Sequence, residues 1–355
     1  MINFLSHVKK HWLSIAFVLG FVTDTILLNQ VDSLMDNLVL LFYVVLASVS
    51  IILFYVGVAE RGPAFLAKWF KKYAPITMQY SFGGLLSGML IFYGRSGDWL
   101  ASAPFLIVIV GIIFGNEMLS KRSDRLIYHV ALYFIGLYSY VVLVVPVLTG
   151  KMGDAIFILS GWIALGIITF VIQTLFKIVP NFLVANVQRV IATIGAIYIG
   201  FNVLYFTNTI PPIPLSLTEL EIVQSVTRTA DNNYRVEVEV QPWYRNIPLM
   251  KPIIHPTHDM IACFARVYAP TKLSTKIYHR WEYKNADGDW QEHFRLGYEI
   301  SGLNKGGYRG YTNLQNFFAG TWRCSVETGR GQVLGRVTFI VSNDVGQTQT
   351  KVVIK

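Results

Sequence analysis

The sequence predicts a membrane protein in two parts: a membrane α-helical bundle of about seven transmembrane helices, then an all-β, immunoglobulin-like sandwich. The chain is 53% hydrophobic and only 14% charged, whereas soluble domains contain about 25% charged residues. Its charge is uneven, because residues 1–214 hold 13 Lys and Arg and 8 Asp and Glu, and the shorter remainder holds 17 and 13. The hydrophobic pattern also changes from helical to alternating after residue 210.

Seven apolar runs in the first part are each about 20 residues long, which is enough to cross the hydrocarbon core of a bilayer. They cover approximately residues 12–30, 38–59, 77–95, 99–119, 126–149, 154–177 and 187–208. No small-residue cleavage site follows the first run, so we interpret it as a retained anchor and not as a removed signal peptide. Residues 1–210 are therefore assigned to the transmembrane bundle.

The basic residues between these runs predict the orientation of the chain. Eleven Lys and Arg residues fall in alternate loops, starting with the N-terminus, and only Arg95 and Lys151 fall in the other loops. Because basic loops stay on the cytoplasmic side, we expect a cytoplasmic N-terminus and, after seven crossings, a C-terminal domain outside. In a Gram-negative bacterium this means the inner membrane and the periplasm. The net charge of +9 reflects this topology and does not indicate a nucleic-acid partner.

Polar residues in and beside the bundle are further clues. Residues 61–73 place aromatic side chains on one helical face and lysines elsewhere, which favours a helix in the lipid headgroup plane over a short basic loop. Asp24 lies about 18 Å into the first run, and Arg95 is expected near the same outer end of the third. Because an intramembrane charge is costly and usually paired or functional, Asp24 and Arg95 are candidates for an ion pair.

Residues 211–230 are predicted to be a linker, because three prolines in four residues at 211–214 cannot continue a helix and form a stiff spacer. From residue 231 to 355, seven segments have the character of strands. They are approximately 234–240, 259–268, 276–283, 290–300, 308–313, 322–327 and 333–342. Turn sequences at 285–288 and 328–331 lie between strands. Such short strands without a strong helix predict a soluble β-sandwich domain.

The only two cysteines, Cys263 and Cys324, both fall in predicted strands. In an oxidising compartment they could form a disulfide, which would close a loop of about 60 residues and stabilise the domain by about 4 kcal/mol. The alternative is two separate buried thiols. His255, His258 and Asp259 are close in sequence, but they lack a further ligand at a motif spacing, so a polar loop is favoured and no metal site is predicted.

Residues 258–342 contain an ordered set of short motifs. They are His279-Arg280-Trp281, Tyr308-Arg309-Gly310-Tyr311, Gly320-Thr321-Trp322-Arg323, the glycine-containing stretch 331–335 and Phe339-Ile340-Val341. Together they resemble a bacterial family known as domain of unknown function 2914. Cys324 departs from the family pattern, where an aliphatic residue is expected. The resemblance implies a domain boundary and a fold, and the family brings no assigned activity.

Candidates for ligand binding on these strands are His279, Trp281, Arg309, Trp322 and Arg323. The imidazole and the arginines could contact a partner or an acidic ligand. The two tryptophans, together with Trp290, could form a platform that stacks on a sugar. The alternative is structural, with a hydrogen-bonded histidine and tryptophans in the sandwich core.

Three functional hypotheses follow. No catalytic residue and no cofactor is assigned from the sequence, where the common nucleotide-binding, hydrolase and redox motifs are absent. The first is a membrane-anchored binding or accessory module that recognises a periplasmic protein, a glycan or a lipid-linked intermediate. The second is a polytopic enzyme or transporter in which Asp24 and Arg95 line a polar pocket. A sensor is a third possibility, although the sequence shows no cytoplasmic output domain. The oligomeric state is left open.

Overall fold

The computed structural model describes residues 34–95, 122–231, 233–242, 250–302, 306–342 and 349–355, together with the single positions 19, 22, 23, 103 and 107. The chain divides between Ile210 and Pro211 into a helical unit and a β unit. A helical N-terminal part and a β-rich C-terminal part are therefore both present, as the change in periodicity predicts.

Five long helices form the described part of the helical unit. They are α1 (Leu34–Val58), α2 (Ala64–Arg95), α3 (Arg122–Thr149), α4 (Asp154–Ile178) and α5 (Pro180–Phe206). All except α2 are long and apolar enough to cross a membrane. Large apolar side chains such as Trp162 and Phe170 on α4 are exposed, which suits contact with lipid and would be unfavourable in water.

The prediction of about seven transmembrane helices is not supported. The runs at 12–30, which includes Asp24, and at 99–119 fall almost entirely outside the described residues. The run at 77–95 is the second part of α2, which is not among the helices apolar enough to span a membrane.

The second part of α2 is surrounded by protein. Residues 81–89 of α2 are all buried, and buried Gln79 lies just before them. Polar residues are tolerated at such positions because neighbouring helices, and not lipid, surround them.

The amphipathic segment at 61–73 is not a separate helix. Its residues from Ala64 onward form the first turns of α2, which continues past Pro75 to Arg95. Phe65 and Trp69 are exposed near the start of this helix. The expected helix in the headgroup plane is thus the aromatic, basic beginning of a longer helix, because a proline within a helix removes one hydrogen bond without necessarily ending it.

Eleven strands in three sheets form the described β unit. They are β1 (Ser216–Val223), β2 (Ser225–Arg228), β3 (Tyr234–Glu239), β4 (Ile253–Ile254), β5 (Met260–Tyr268), β6 (Ser274–Lys284), β7 (Trp290–Ser301), β8 (Tyr308–Gln315), β9 (Gly320–Thr328), β10 (Val333–Val341) and β11 (Thr350–Ile354). The sheet orders are β4-β10-β9-β6-β7, β1-β5-β8 and β11-β3-β2. The pairing of β4 with β10 is parallel, and the other pairings described are antiparallel.

The β1-β5-β8 sheet packs against both other sheets. On one face, Ile261 and Cys263 of β5 join Trp281 of the five-stranded sheet in a buried cluster. On the other face, Phe264 of β5 packs with Val236 of β3. Because both faces of β5 are covered, its sequence is apolar at consecutive positions and does not alternate. The described β unit therefore has three packed sheets, whereas the predicted sandwich has two.

All seven predicted strands are present, as β3 and β5 to β10. Both predicted turns are present as well, with Gly288 and Gly331 at φ of 90° and 89°, a conformation that side chains other than glycine adopt only with strain. Residues 211–230 differ from the predicted linker, because β1 and β2 occupy most of this range. The prolines follow the helical unit. From Ser216 onward the chain forms β1, which pairs with β5.

Candidate functional site

The five predicted binding residues lie in two environments. His279, Trp281 and Trp322 are each 0% exposed, so they cannot contact a ligand at the surface. The binding hypothesis does not fit these three residues, because their positions on β6 and β9 direct them into the core shared with β5. Arg309 and Arg323 are partly exposed and lie on different sheets. The structure therefore does not bring the five residues together in one site.

A buried polar cluster surrounds His279. Its Nδ1 lies 3.0 Å from the Thr312 hydroxyl, and its Nε2 lies 3.0 Å from the Tyr298 hydroxyl. The Trp281 indole N–H donates to the same Thr312 hydroxyl at 2.9 Å. Both ring nitrogens thus have partners, as buried polar groups require. Burial lowers the pKa of His279 to about 3, which keeps the imidazole neutral near neutral pH.

A disulfide between Cys263 of β5 and Cys324 of β9 joins two sheets beside this cluster, with 6.6 Å between the Cα atoms. The two sulfur atoms and a His279 ring nitrogen lie within 4.8 Å of one another, which raises the possibility of a metal site. A metal would need thiolates and a free imidazole nitrogen. Here the sulfurs are bonded to each other and both ring nitrogens contact hydroxyls, so the residues do not fit a metal centre.

The neutral state of His279 predicts that the β unit loses stability in acid. Between pH 6.5 and about pH 3 the unfolded chain binds a proton at this imidazole that the folded chain does not. The contribution of neutral His279 to the free energy of unfolding is therefore fully present above pH 6.5. It decreases by about 1.4 kcal/mol per pH unit as the pH falls through that window. The variant H279Q, which cannot titrate, should show a flatter acid dependence of the free energy of unfolding, measured by hydrogen exchange of β6 amides.

The exposed His293 on β7 provides the control for this prediction. H293Q should keep the acid dependence of the unmodified protein. An H279Q protein with the same slope as the unmodified protein would show that His279 is not the group responsible.

A row of alternating charges crosses the outer side of the five-stranded sheet. Because Trp281 and Trp322 point into the core, their neighbours on β6 and β9 point to the opposite side. The row comprises Arg295, Glu327, Arg280, Glu282 and Arg323, in that spatial order, and is called the charged face below. Arg295 Nε lies 2.7 Å from Glu327 Oε1, and Arg323 Nη2 lies 2.7 Å from Glu282 Oε2.

Aromatic rings cover the two end arginines of the charged face. The guanidinium of Arg295 lies 4.0 Å from the ring centre of Tyr278, and that of Arg323 lies 4.1 Å from the ring centre of Trp290. Arg295 also donates to the Thr328 carbonyl at 3.0 Å. Stacking and multiple donors are typical of arginines held in one orientation. The ends of the charged face are therefore fixed in place.

The two carboxylates of the charged face are buried although they lie on the outer side of the sheet. Glu327 is 1% exposed and Glu282 is 6% exposed. Burial raises the pKa of Glu327 above its usual value, and the positive charges of Arg280 and Arg295 offset this rise only in part. Such a carboxylate depends on its arginine neighbours for stability in the ionised form. Among the five residues of the charged face, Arg323 alone was a candidate from the sequence. The ion pairs join neighbouring strands, and the sequence does not reveal the register of those strands.

A second polar cluster holds the loop after β4. The carboxylate of Glu239 accepts from His255 Nδ1, with 2.7 Å between the atoms, and from the His255 backbone N–H at 2.9 Å. Fully buried Gln224 donates to Glu239 at 3.1 Å and accepts from the Thr257 N–H at 3.0 Å. His258 contacts Glu237 instead, at 3.6 Å. Hydrogen bonds thus connect the loop after β4 to β3. This agrees with the interpretation of His255, His258 and Asp259 as part of a polar loop.

The proposed pair of Asp24 and Arg95 stays a prediction. Asp24 lies outside the described residues, and α2 ends at Arg95, whose side chain is not among those described.

Comparison with known proteins identifies the segment that carries the charged face. No curated protein matches the chain. One solved structure, Pseudomonas fluorescens alkylpurine DNA glycosylase AlkC bound to DNA containing an abasic site analog, is 9% identical over 88% of this chain and 99% of that chain, with a TM-score of 0.22. Similarity at that level carries no argument about fold or activity. Residues 274–341, from β6 to β10, match the family described as Protein of unknown function (DUF2914), which confirms the resemblance of the C-terminal region to that family.

Proposed function

We propose that the protein is an integral membrane protein that presents its β unit outside the cytoplasm as a binding or accessory module. The observation that carries this proposal is the disulfide between Cys263 and Cys324, in a unit joined to helices that are apolar enough to cross a membrane. Disulfides persist in oxidising compartments and are rare in the cytosol. In a bacterium with two membranes, the module would be an immunoglobulin-like domain in the periplasm, anchored in the inner membrane by a multi-pass bundle with a cytoplasmic N-terminus.

The distribution of basic residues supports the same orientation. The exposed start of α2, with Lys68 and Lys72, suits the cytoplasmic side of the membrane. The charged face supports a binding role, because it combines fixed arginines and aromatic rings in one partly exposed row on the sheet, and these residue types are enriched where proteins recognise partners. A periplasmic protein, a glycan and a lipid-linked intermediate are the partner classes that suit this location.

Reporter fusions after Lys355 test the location of the β unit. In a bacterial host, alkaline phosphatase fused at this position should be active, because that enzyme needs an oxidising compartment, and a cytosolic fluorescent reporter at the same position should be dark. The same reporters inserted in the loop between α1 and α2, after Gly62, should give the opposite pattern. A bright fluorescent reporter and inactive phosphatase after Lys355 would contradict the proposal.

A further inference from the structure

We propose that Arg280, at the centre of the charged face, binds an oxyanion of a partner molecule, that is, a phosphate or carboxylate group. This inference rests on the proposed binding function and names the chemistry that the module recognises.

The charged face contains three guanidinium groups and two carboxylates. The end arginines each hold one carboxylate at 2.7 Å. In contrast, Arg280 Nε is 3.4 Å from Glu327 Oε2 and 3.7 Å from Glu282 Oε2. Because both carboxylates are bound more closely by the end arginines, the one positive charge in excess lies at Arg280.

The hydrogen-bond donors of Arg280 are only partly used. A guanidinium carries five N–H groups, and Arg280 Nε is buried without a hydrogen-bond partner. Within the described part of the chain, Nε is the nitrogen of Arg280 that lies closest to each of the two carboxylates. Its two terminal nitrogens form no hydrogen bond with the described residues. The side chain is 32% exposed. Its planar fork is therefore open to a ligand that reaches the outer side of the sheet.

The geometry of a guanidinium group selects the kind of ligand that fits. Two parallel N–H groups of an arginine match two oxygens of a phosphate or carboxylate, and such charge-assisted pairs are among the stronger hydrogen bonds in proteins. Binding of a ligand should order few additional side chains of the charged face, because the stacked end arginines already hold Glu327 and Glu282 in place. The entropic cost of binding is therefore low. A neutral ligand would leave the excess charge of Arg280 uncompensated. An oxyanion is therefore the ligand class that completes the charged face.

Arginine-specific modification of the full-length protein in zwitterionic nanodiscs tests this proposal. Phenylglyoxal should modify Arg280 faster than Arg295 and Arg323, which are paired. Inorganic phosphate or acetate should slow the modification of Arg280 relative to sodium chloride at the same ionic strength, as quantified by mass spectrometry of peptides. Nanodiscs that contain anionic phospholipid distinguish the source of the oxyanion, because protection without added phosphate would assign it to a lipid headgroup.

Binding of inorganic phosphate, measured by calorimetry, provides the second readout. R280Q should weaken binding about tenfold, which corresponds to the loss of about 1.4 kcal/mol. R280K keeps the charge without the fork and should show a smaller loss. R336Q, which removes a charge from β10 of the same sheet, is the matched control and should bind as the unmodified protein does.

Equal modification of the three arginines, or no protection by phosphate, acetate or anionic lipid, would overturn the proposal. Active alkaline phosphatase after Lys355 in the same protein would show that the location of the β unit is correct even when oxyanion binding fails.

Discussion

Removal of the disulfide is expected to lower the free energy of unfolding of the β unit by about 4 kcal/mol. The bond closes a loop with a sequence separation of 61, and it joins β5 and β9, which belong to different sheets. The double variant C263A/C324A is preferred over serine substitutions, because it adds no buried hydroxyl groups. Hydrogen exchange of β9 amides in the full-length protein in detergent measures the loss in the β unit alone.

A reducing agent provides the control for this prediction. It should destabilise the unmodified protein by a similar amount and should leave C263A/C324A unchanged. Equal stability of the oxidised and reduced proteins would contradict the structural role assigned to the bond.

Replacement of Trp281 by alanine should cost the β unit about 3–5 kcal/mol. Trp281 is fully buried, belongs to the same cluster as both cysteines, and packs with its ring centre 6.2 Å from that of Phe339. The substitution leaves a large cavity and also removes the indole N–H that donates to Thr312. The change is measured by hydrogen exchange of β6 and β9 amides in the full-length protein.

W290A is the matched control, since this tryptophan lies on the same five-stranded sheet but is only partly buried. Its ring stacks on Arg323, and the loss of this stacking should cost about 1 kcal/mol. Similar losses for W281A and W290A would show that Trp281 does not have the central packing role assigned to it.

The sequence was most informative where apolar residues on one face of a strand alternate with polar or charged residues on the other. β6 and β9 alternate in this way, so their positions could be predicted. The burial of Trp281 and Trp322 was only the alternative to their role as binding candidates. β5 was also located, although its alternation is lost because both its faces are covered. β1 was missed since the prolines before Ser216 suggested a linker, and its partner β5 begins only at Met260.

The helical unit shows what hydropathy alone cannot predict. The run at 77–95 is apolar enough to suggest a membrane span, yet most of it is enclosed by protein. Hydropathy does not distinguish a helix surrounded by lipid from one surrounded by other helices, so a sequence gives the number of apolar runs and not the surroundings of each.

The charged face could not be predicted because its contacts depend on strand register. Glu282 and Arg323 are 41 positions apart and become neighbours only through the pairing of β6 with β9. An irregularity between Trp281 and Glu282 in the pairing with β7 also shifts the positions that face each other. The two cysteines posed a similar problem, since the sequence placed both in strands but could not give the distance between their Cα atoms.

The thiol state of Cys263 and Cys324 in intact cells reports the compartment in which the β unit lies. Cells that express the full-length protein are treated with acid to stop thiol exchange, then denatured and exposed to a maleimide that carries a large polymer. We expect no change in gel mobility without prior reduction and a shift by two polymer units after reduction, because both cysteines are bonded in an oxidising compartment. Modification of both cysteines without reduction would place the β unit in the cytosol and contradict this account.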